Sequence, residues 1–159
     1  MKEISLSQGY STIVDDEDYD QLANYKWYAK KAYKSKLVYA VRSKNDRHVH
    51  MGRVITNCPS GYVVDHINGN PLDNRRSNLR VCTQGQNTRN LSPYIKPMAS
   101  QYKGVSWDNE KKRWRGEIHV SGKRHKLGRF RNEKDAAVAY NLAAQRLHGE
   151  FARLNVIGE

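Results

Sequence analysis

Residues 62–90, YVVDHINGNPLDNRRSNLRVCTQGQNTRN, constrain this chain more than any other stretch. Tyr62–Val64 reads as a strand running into Asp65 and His66, and the turn-rich Asn68-Gly69-Asn70-Pro71 ends it. Asn78-Leu79-Arg80-Val81 reads as a second short strand, and Thr83 can cap a short helix that contains Asn87. A hairpin followed by a helix can bring Asp65 and Asn87 together although they are 22 residues apart.

That arrangement can meet three needs of phosphodiester hydrolysis. A hard divalent cation must polarise the phosphate, and the Asp65 carboxylate and Asn87 amide oxygen are suitable ligands. A base must take a proton from water near neutral pH, which an imidazole with a reference pKa of about 6.5 can do. His66 follows Asp65 directly, so on a strand the two side chains point to opposite sides. The loop must also be rigid, and a buried Asn78 can bridge its backbone groups.

DHINGNPLDNRRSNLRVCTQGQN resembles the HNH endonucleases, specifically the phage and intron-encoded homing group with the ββα-metal fold. The match covers about residues 48–90. It implies that Asp65 and Asn87 are metal ligands, His66 the general base and Asn78 the loop-bracing asparagine. It also implies one magnesium or manganese ion. Members often read Met-His-Arg where this chain has Met51-Gly52-Arg53, so an imidazole is missing upstream and its loss would lower activity if it touches DNA. Arg53, with Arg75 and Arg76 in the hairpin loop, is an expected DNA contact.

Composition agrees with a polyanionic partner. The chain has 28 Lys+Arg against 16 Asp+Glu, a formal net charge of +12, and 14 of the basic residues fall in each of residues 1–95 and 96–159. Such a balance favours contact with phosphates. Cys58 and Cys82 are the only cysteines, which excludes a four-thiolate zinc site and argues against a disulfide scaffold. No segment reads as a signal peptide or a bilayer span. The expected location is the cytoplasm, that of a host cell if the chain is phage-encoded.

Upstream of the hairpin, residues 4–14 alternate as short strands and residues 15–24 read as one or two helical turns behind an acidic cluster. Trp27 to Val41 gives aromatic-rich strands with a turn over Lys30–Lys36, and Val49–Ile55 is a short apolar stretch broken at Gly52. Tyr10, Tyr19, Trp27, Tyr28, Tyr33 and Tyr39 are expected to form a small core. His48 and His50 have no motif around them and read as surface or packing residues.

Pro93, Pro97 and Ser100 mark an interdomain linker over 93–101. Three strands follow, about Tyr102–Trp107, Arg113–Val120 and Lys123–Phe130, then a helix from Asn132 to about His148 ending at Gly149. Ala136, Ala137, Tyr140, Ala143, Ala144 and Leu147 give the helix a small apolar face. Alternation puts Trp114, Gly116, Ile118, Val120 and Leu127 against it, and Arg113, Arg115, Glu117, His119, Arg124 and Lys126 on the other side. Trp107 and Trp114 are read as core.

Residues 102–157 resemble the APETALA/ethylene-response-factor DNA-binding domain. Tyr102-Lys103-Gly104-Val105, Trp114-Arg115-Gly116-Glu117-Ile118, Leu127-Gly128-Arg129-Phe130 and Asp135-Ala136-Ala137 carry the likeness, with the tail Ala152-Arg153-Leu154-Asn155. It implies a sheet laid in the major groove, with Lys103, Ser106, Arg113, Arg115, Glu117, His119, Arg124 and Lys126 facing DNA. The whole chain is thus expected to be α+β. A small β region and ββα-metal core (residues 1–92) would precede the linker and a three-stranded antiparallel sheet packed on one helix. Its expected function is a site-preferring DNA endonuclease of homing or mobile-element type, acting on duplex DNA as a monomer or, alternatively, a dimer. The competing expectation is a DNA-binding regulator with weakened catalysis.

Overall fold

The computed structural model describes residues 1–33, 35–90 and 100–158. The chain is α+β and divides into two compact units, Met1–Asn87 and Thr88–Glu159. Most of the linker read over 93–101 lies outside the described residues, as does residue 34 of the turn read over Lys30–Lys36.

In the first unit, β1 (Lys2–Ser5) and β2 (Ser11–Val14) form an antiparallel hairpin. Helix α1 (Asp16–Ala23) follows, with Asp16, Glu17 and Asp18 in its first turn, where negative charge complements the helix dipole. Strands β3 (Tyr28–Lys31), β4 (Val38–Lys44) and β5 (Arg47–His50) make an antiparallel sheet in sequence order. Ile4, Val14, Leu22, Trp27, Ala29, Val38, Ala40, Met51, Ile55 and Leu79 form one buried cluster.

The apolar stretch 49–55 is broken, as read, but between His50 and Met51 rather than at Gly52: β5 ends at His50 and Met51–Ile55 forms the short helix α2. Five residues are too few for helical periodicity to show. The aromatic core is smaller than expected: Trp27 is buried and Tyr10 and Tyr19 pack beside the cluster, whereas Tyr33 is 87% exposed. Tyr28 instead meets His48, its hydroxyl 2.6 Å from Nδ1, and Tyr39 turns to a pocket described below.

β6 (Val63–His66) and β7 (Leu79–Cys82) form the second hairpin, and α3 (Gln84–Asn90) follows at once. Thr83 Oγ1 accepts from the Gln86 N–H while Gln86 Oε1 accepts from the Thr83 N–H, a reciprocal cap that starts the helix here.

In the second unit β8 (Val105–Asp108), β9 (Arg113–Val120) and β10 (Lys123–Phe130) form an antiparallel sheet with β9 central. Helix α4 (Glu133–His148) lays Ala136, Ala137, Tyr140, Ala143 and Ala144 on it. Gly104 sits at φ +75°, where an added Cβ would lie 2.0 Å from the Tyr140 ring, so only glycine lets the chain pass there. Trp114 packs into this core, but Trp107 is 39% exposed and meets Trp114 edge-on, so only one of the two tryptophans is core. Among the described residues no helix is long and apolar enough to cross a membrane.

Candidate active site

The β6–β7 register pairs Asp65 with Arg80 and His66 with Leu79, so the two motif residues lie on opposite faces of the hairpin. The loop between the strands is fixed from within. Asn78, 6% exposed, accepts from the Asn68 N–H at 2.9 Å and donates to the Asp73 carbonyl at 2.8 Å. Asn68 Nδ2 donates to Asp73 Oδ2, and the Asn68 and Asn70 side-chain oxygens accept from backbone two residues on. The loop is also tied to β2. Thr12 Oγ1 donates to the Leu72 carbonyl at 2.7 Å, and Asn74 Nδ2 donates to Thr12 Oγ1 at 2.9 Å.

Those bonds decide the state of His66. Asn74 has its amide nitrogen directed at Thr12 and Pro71, so its Oδ1, 3.2 Å from His66 Nε2, is an acceptor. Nε2 therefore carries the hydrogen of the neutral ring. Burial pushes the imidazole below its ordinary range, opposed by the Asn74 hydrogen bond and the charges of Asp65 and Asp73. A base kept neutral and held by a second residue suits proton abstraction from water.

His66 lines a pocket of about 320 Å³ together with Tyr39, His50, Gly52, Asn74 and Asn87, among others. The structure thus brings His66 and Asn87 to one pocket. Asp65 is not among the lining residues. It is 4% exposed and ion-paired on the other hairpin face, with Arg80 Nη2 at 2.6 Å and Nε at 2.8 Å from its Oδ2. Among the described residues no group of three His, Cys, Asp or Glu is placed to hold a metal. A magnesium ion, however, commonly uses only one or two protein oxygens with water and phosphate completing its shell. One carboxylate and one amide oxygen are a chemically suitable hard-donor set for it.

The three arginines expected at DNA are engaged elsewhere. Arg53 donates to the carbonyls of Tyr62, Cys58 and Pro59, closing the turn after α2. Arg75 forms a two-point pair with Asp73. Arg76 does the same with Asp18 of α1 and also meets Glu17 at 2.8 Å, tying the hairpin loop to the N-terminal helix.

Gly52 is buried on α2, and a Cβ there would lie 3.3 Å from both Asn74 Oδ1 and Val64 Cγ1. A side chain at this position would need Asn74 and Val64 to give by a few tenths of an ångström. A larger residue would press on the asparagine that orients His66.

In the second unit the outer sheet face carries Arg113, Arg115, Glu117 and His119 on β9, with Arg124 and Lys126 beside them on β10. Glu117 Oε1 lies 3.3 Å from Arg115 Nε and 3.9 Å from Arg124 Nε, so one largely buried carboxylate oxygen is ion-paired with two guanidinium groups and hydrogen-bonded to neither. Ser106 pairs with Arg115 from β8. Lys103 is turned inward: its ammonium donates to the Arg89 carbonyl, and burial, with Arg153 nearby, pushes it down to about 8. Simple alternation misses Arg129. A register shift between Lys126 and Gly128 places Leu127 and Gly128 together on the core side and pairs Arg129 with Arg115. Arg129 is held 3.0 Å from Asp108. Only the Leu127-Gly128 step, with Gly128 at φ +138°, signals the bulge in sequence.

A family model described as HNH endonuclease matches residues 48–89. An uncharacterised HNH endonuclease of Acanthamoeba polyphaga mimivirus is 31% identical over 154 residues, covering 97% of this chain and 79% of that protein. Protein 3.8 of Escherichia phage T7 is 38% identical over 95 residues, covering 60% of this chain and 77% of that protein.

Proposed function

This chain belongs to the HNH endonuclease family, and we propose that it hydrolyses phosphodiester bonds of duplex DNA at preferred sites, in the manner of a homing or mobile-element enzyme. The observation that carries this reading is that His66, with its Nε2 held 3.2 Å from Asn74 Oδ1, lines one pocket with Asn87. Asp65 and Asn87 would hold a magnesium or manganese ion, which supplies charge neutralisation at the phosphate when bound. Asn78 keeps the loop rigid; His66 takes the proton as water attacks phosphorus, the bond from phosphorus to the leaving sugar oxygen breaks, and that oxygen takes a proton from solvent.

We read residues 1–92 as the nuclease domain, 93–101 as a linker and 102–157 as an APETALA/ethylene-response-factor-type DNA-binding domain. The charged sheet face supports this, because a sheet of this width can enter the major groove and present arginine forks to guanine edges. Ser106, Arg113, Arg115, Glu117, His119, Arg124 and Lys126 are the proposed contacts, now joined by Arg129. A monomer in the cytoplasm is the proposed working form.

Gly52 favours a second reading, a regulator that binds DNA without cutting it. The test is incubation with supercoiled plasmid with magnesium, with manganese and in chelator. Metal-dependent nicked or linear product that disappears in His66→Ala supports the enzyme. DNA binding with no cleavage in either metal supports the regulator.

A further inference from the structure

We infer that His50 is a second substrate-contacting imidazole of this site, donating a ring N–H to a non-bridging oxygen of the scissile phosphate and holding phosphorus in front of His66. This rests on the nuclease reading above.

Three observations carry it. His50 is the last residue of β5 and lines the same pocket as His66 and Asn87. Tyr39 stands beside both imidazoles, its ring centroid 5.3 Å from that of His50 and 6.5 Å from that of His66, both edge-on. The register β3–β4–β5 places Lys30 opposite Tyr39, and Val41, two residues further along β4, opposite His50, so these side chains share the sheet face that borders the pocket. The two imidazoles are thus held on separate elements around one aromatic spacer, and both line one pocket of about 320 Å³.

The electrostatics point to an anion. Burial depresses the His50 imidazole first, and every charged neighbour that adds to this, Lys30, Arg53, His48 and His66, is basic. A phosphate entering that field meets no opposing carboxylate from those neighbours, and its own charge favours the N–H form of His50. Gly52 lines the same pocket without a side chain, so the imidazole this segment brings there is that of His50, two residues earlier.

The experiment uses the full chain with magnesium and a duplex carrying a nick site first mapped on plasmid DNA. Single-turnover cleavage at saturating protein should fall about 100-fold in His50→Ala, the scale of losing one donor to developing charge. His50→Gln, which keeps a donor, should recover most of that rate. Both variants should melt as the wild type does and bind the duplex in chelator with unchanged affinity. Wild-type cleavage by His50→Ala overturns the assignment, and so does equal slowing of both variants with equal loss of melting temperature, which would mean packing alone. A wild-type chain that cuts nothing in either metal overturns the nuclease reading itself, and this assignment with it.

Discussion

Asp65 and Arg80 face each other across the β6–β7 hairpin, and the guanidinium approaches one carboxylate oxygen through both Nη2 and Nε. Both side chains are largely buried, 5% and 12% exposed. Removing one partner leaves a buried charge short of its counter-charge, at a cost of about 3–5 kcal/mol. Asp65→Ala should therefore lose stability as well as metal affinity, whereas Asp65→Ala combined with Arg80→Met should recover most of the stability. Magnesium should raise the melting temperature of the wild type and leave that of the double variant unmoved. Stabilisation of the double variant by magnesium would remove Asp65 from the metal site.

Asn78 supplies both an acceptor and a donor to the loop it braces. Asn78→Ala should cost about 2–3 kcal/mol, because the Asn68 N–H and the Asp73 carbonyl each lose a buried partner. Urea unfolding measures the loss. Cleavage should fall with it, since the same loop carries Asn74, which holds His66. Unchanged stability would show that water replaces the side chain without penalty.

Burial holds His66, His50 and His148 below the usual imidazole range. The unfolded chain then protonates first as pH falls through about 6.5, so the stability these groups contribute is complete above that value. It is lost as pH drops from there to the lower folded-state values. Catalysis shifts in the same direction, because a base that stays neutral further into acid keeps working there. The acid limb of kcat should be centred below about 6.5, and His66→Ala should lower turnover roughly 10²–10⁴-fold without loss of DNA affinity. A limb centred above that point would mean another group takes the proton.

The hairpin, its capped helix and the charged sheet were legible because each rests on local signals: turn residues, a cap, or strict alternation. The contacts that give the site its geometry were not. Arg76 meets Asp18 across 58 residues of sequence, and Asn74 reaches Thr12 across 62. Neither pairing leaves a trace in spacing. Arg53 looked available for phosphate because nothing in sequence shows that three carbonyls converge on it. His50 reads as a surface or packing residue because no motif surrounds it, and its place in the His66 pocket comes only from the pairing of β5 with β4.

The bulge in β10 yields the last prediction. It pairs Arg129 with Arg115 beside Arg124 and Lys126, while Asp108 is ion-paired with Arg129 and Glu117 with Arg115 and Arg124. If this face reads DNA, each arginine that makes a two-point contact to guanine contributes about 1–3 kcal/mol of discrimination. The hairpin, by contrast, addresses a phosphate that looks alike at every step and carries little sequence information. Arg115→Ala and Arg124→Ala should therefore spread the nick positions over more sites while cutting at saturating DNA keeps its rate. Arg129→Ala should do the same, although simple alternation would place it in the core and predict a loss of stability instead. Glu117→Gln should also relax selectivity, because two arginines lose the charge that orients them. Sequencing the ends produced on one genomic DNA by each full-length variant decides the matter. Unchanged nick positions in Arg115→Ala and Arg124→Ala would move recognition to the first unit.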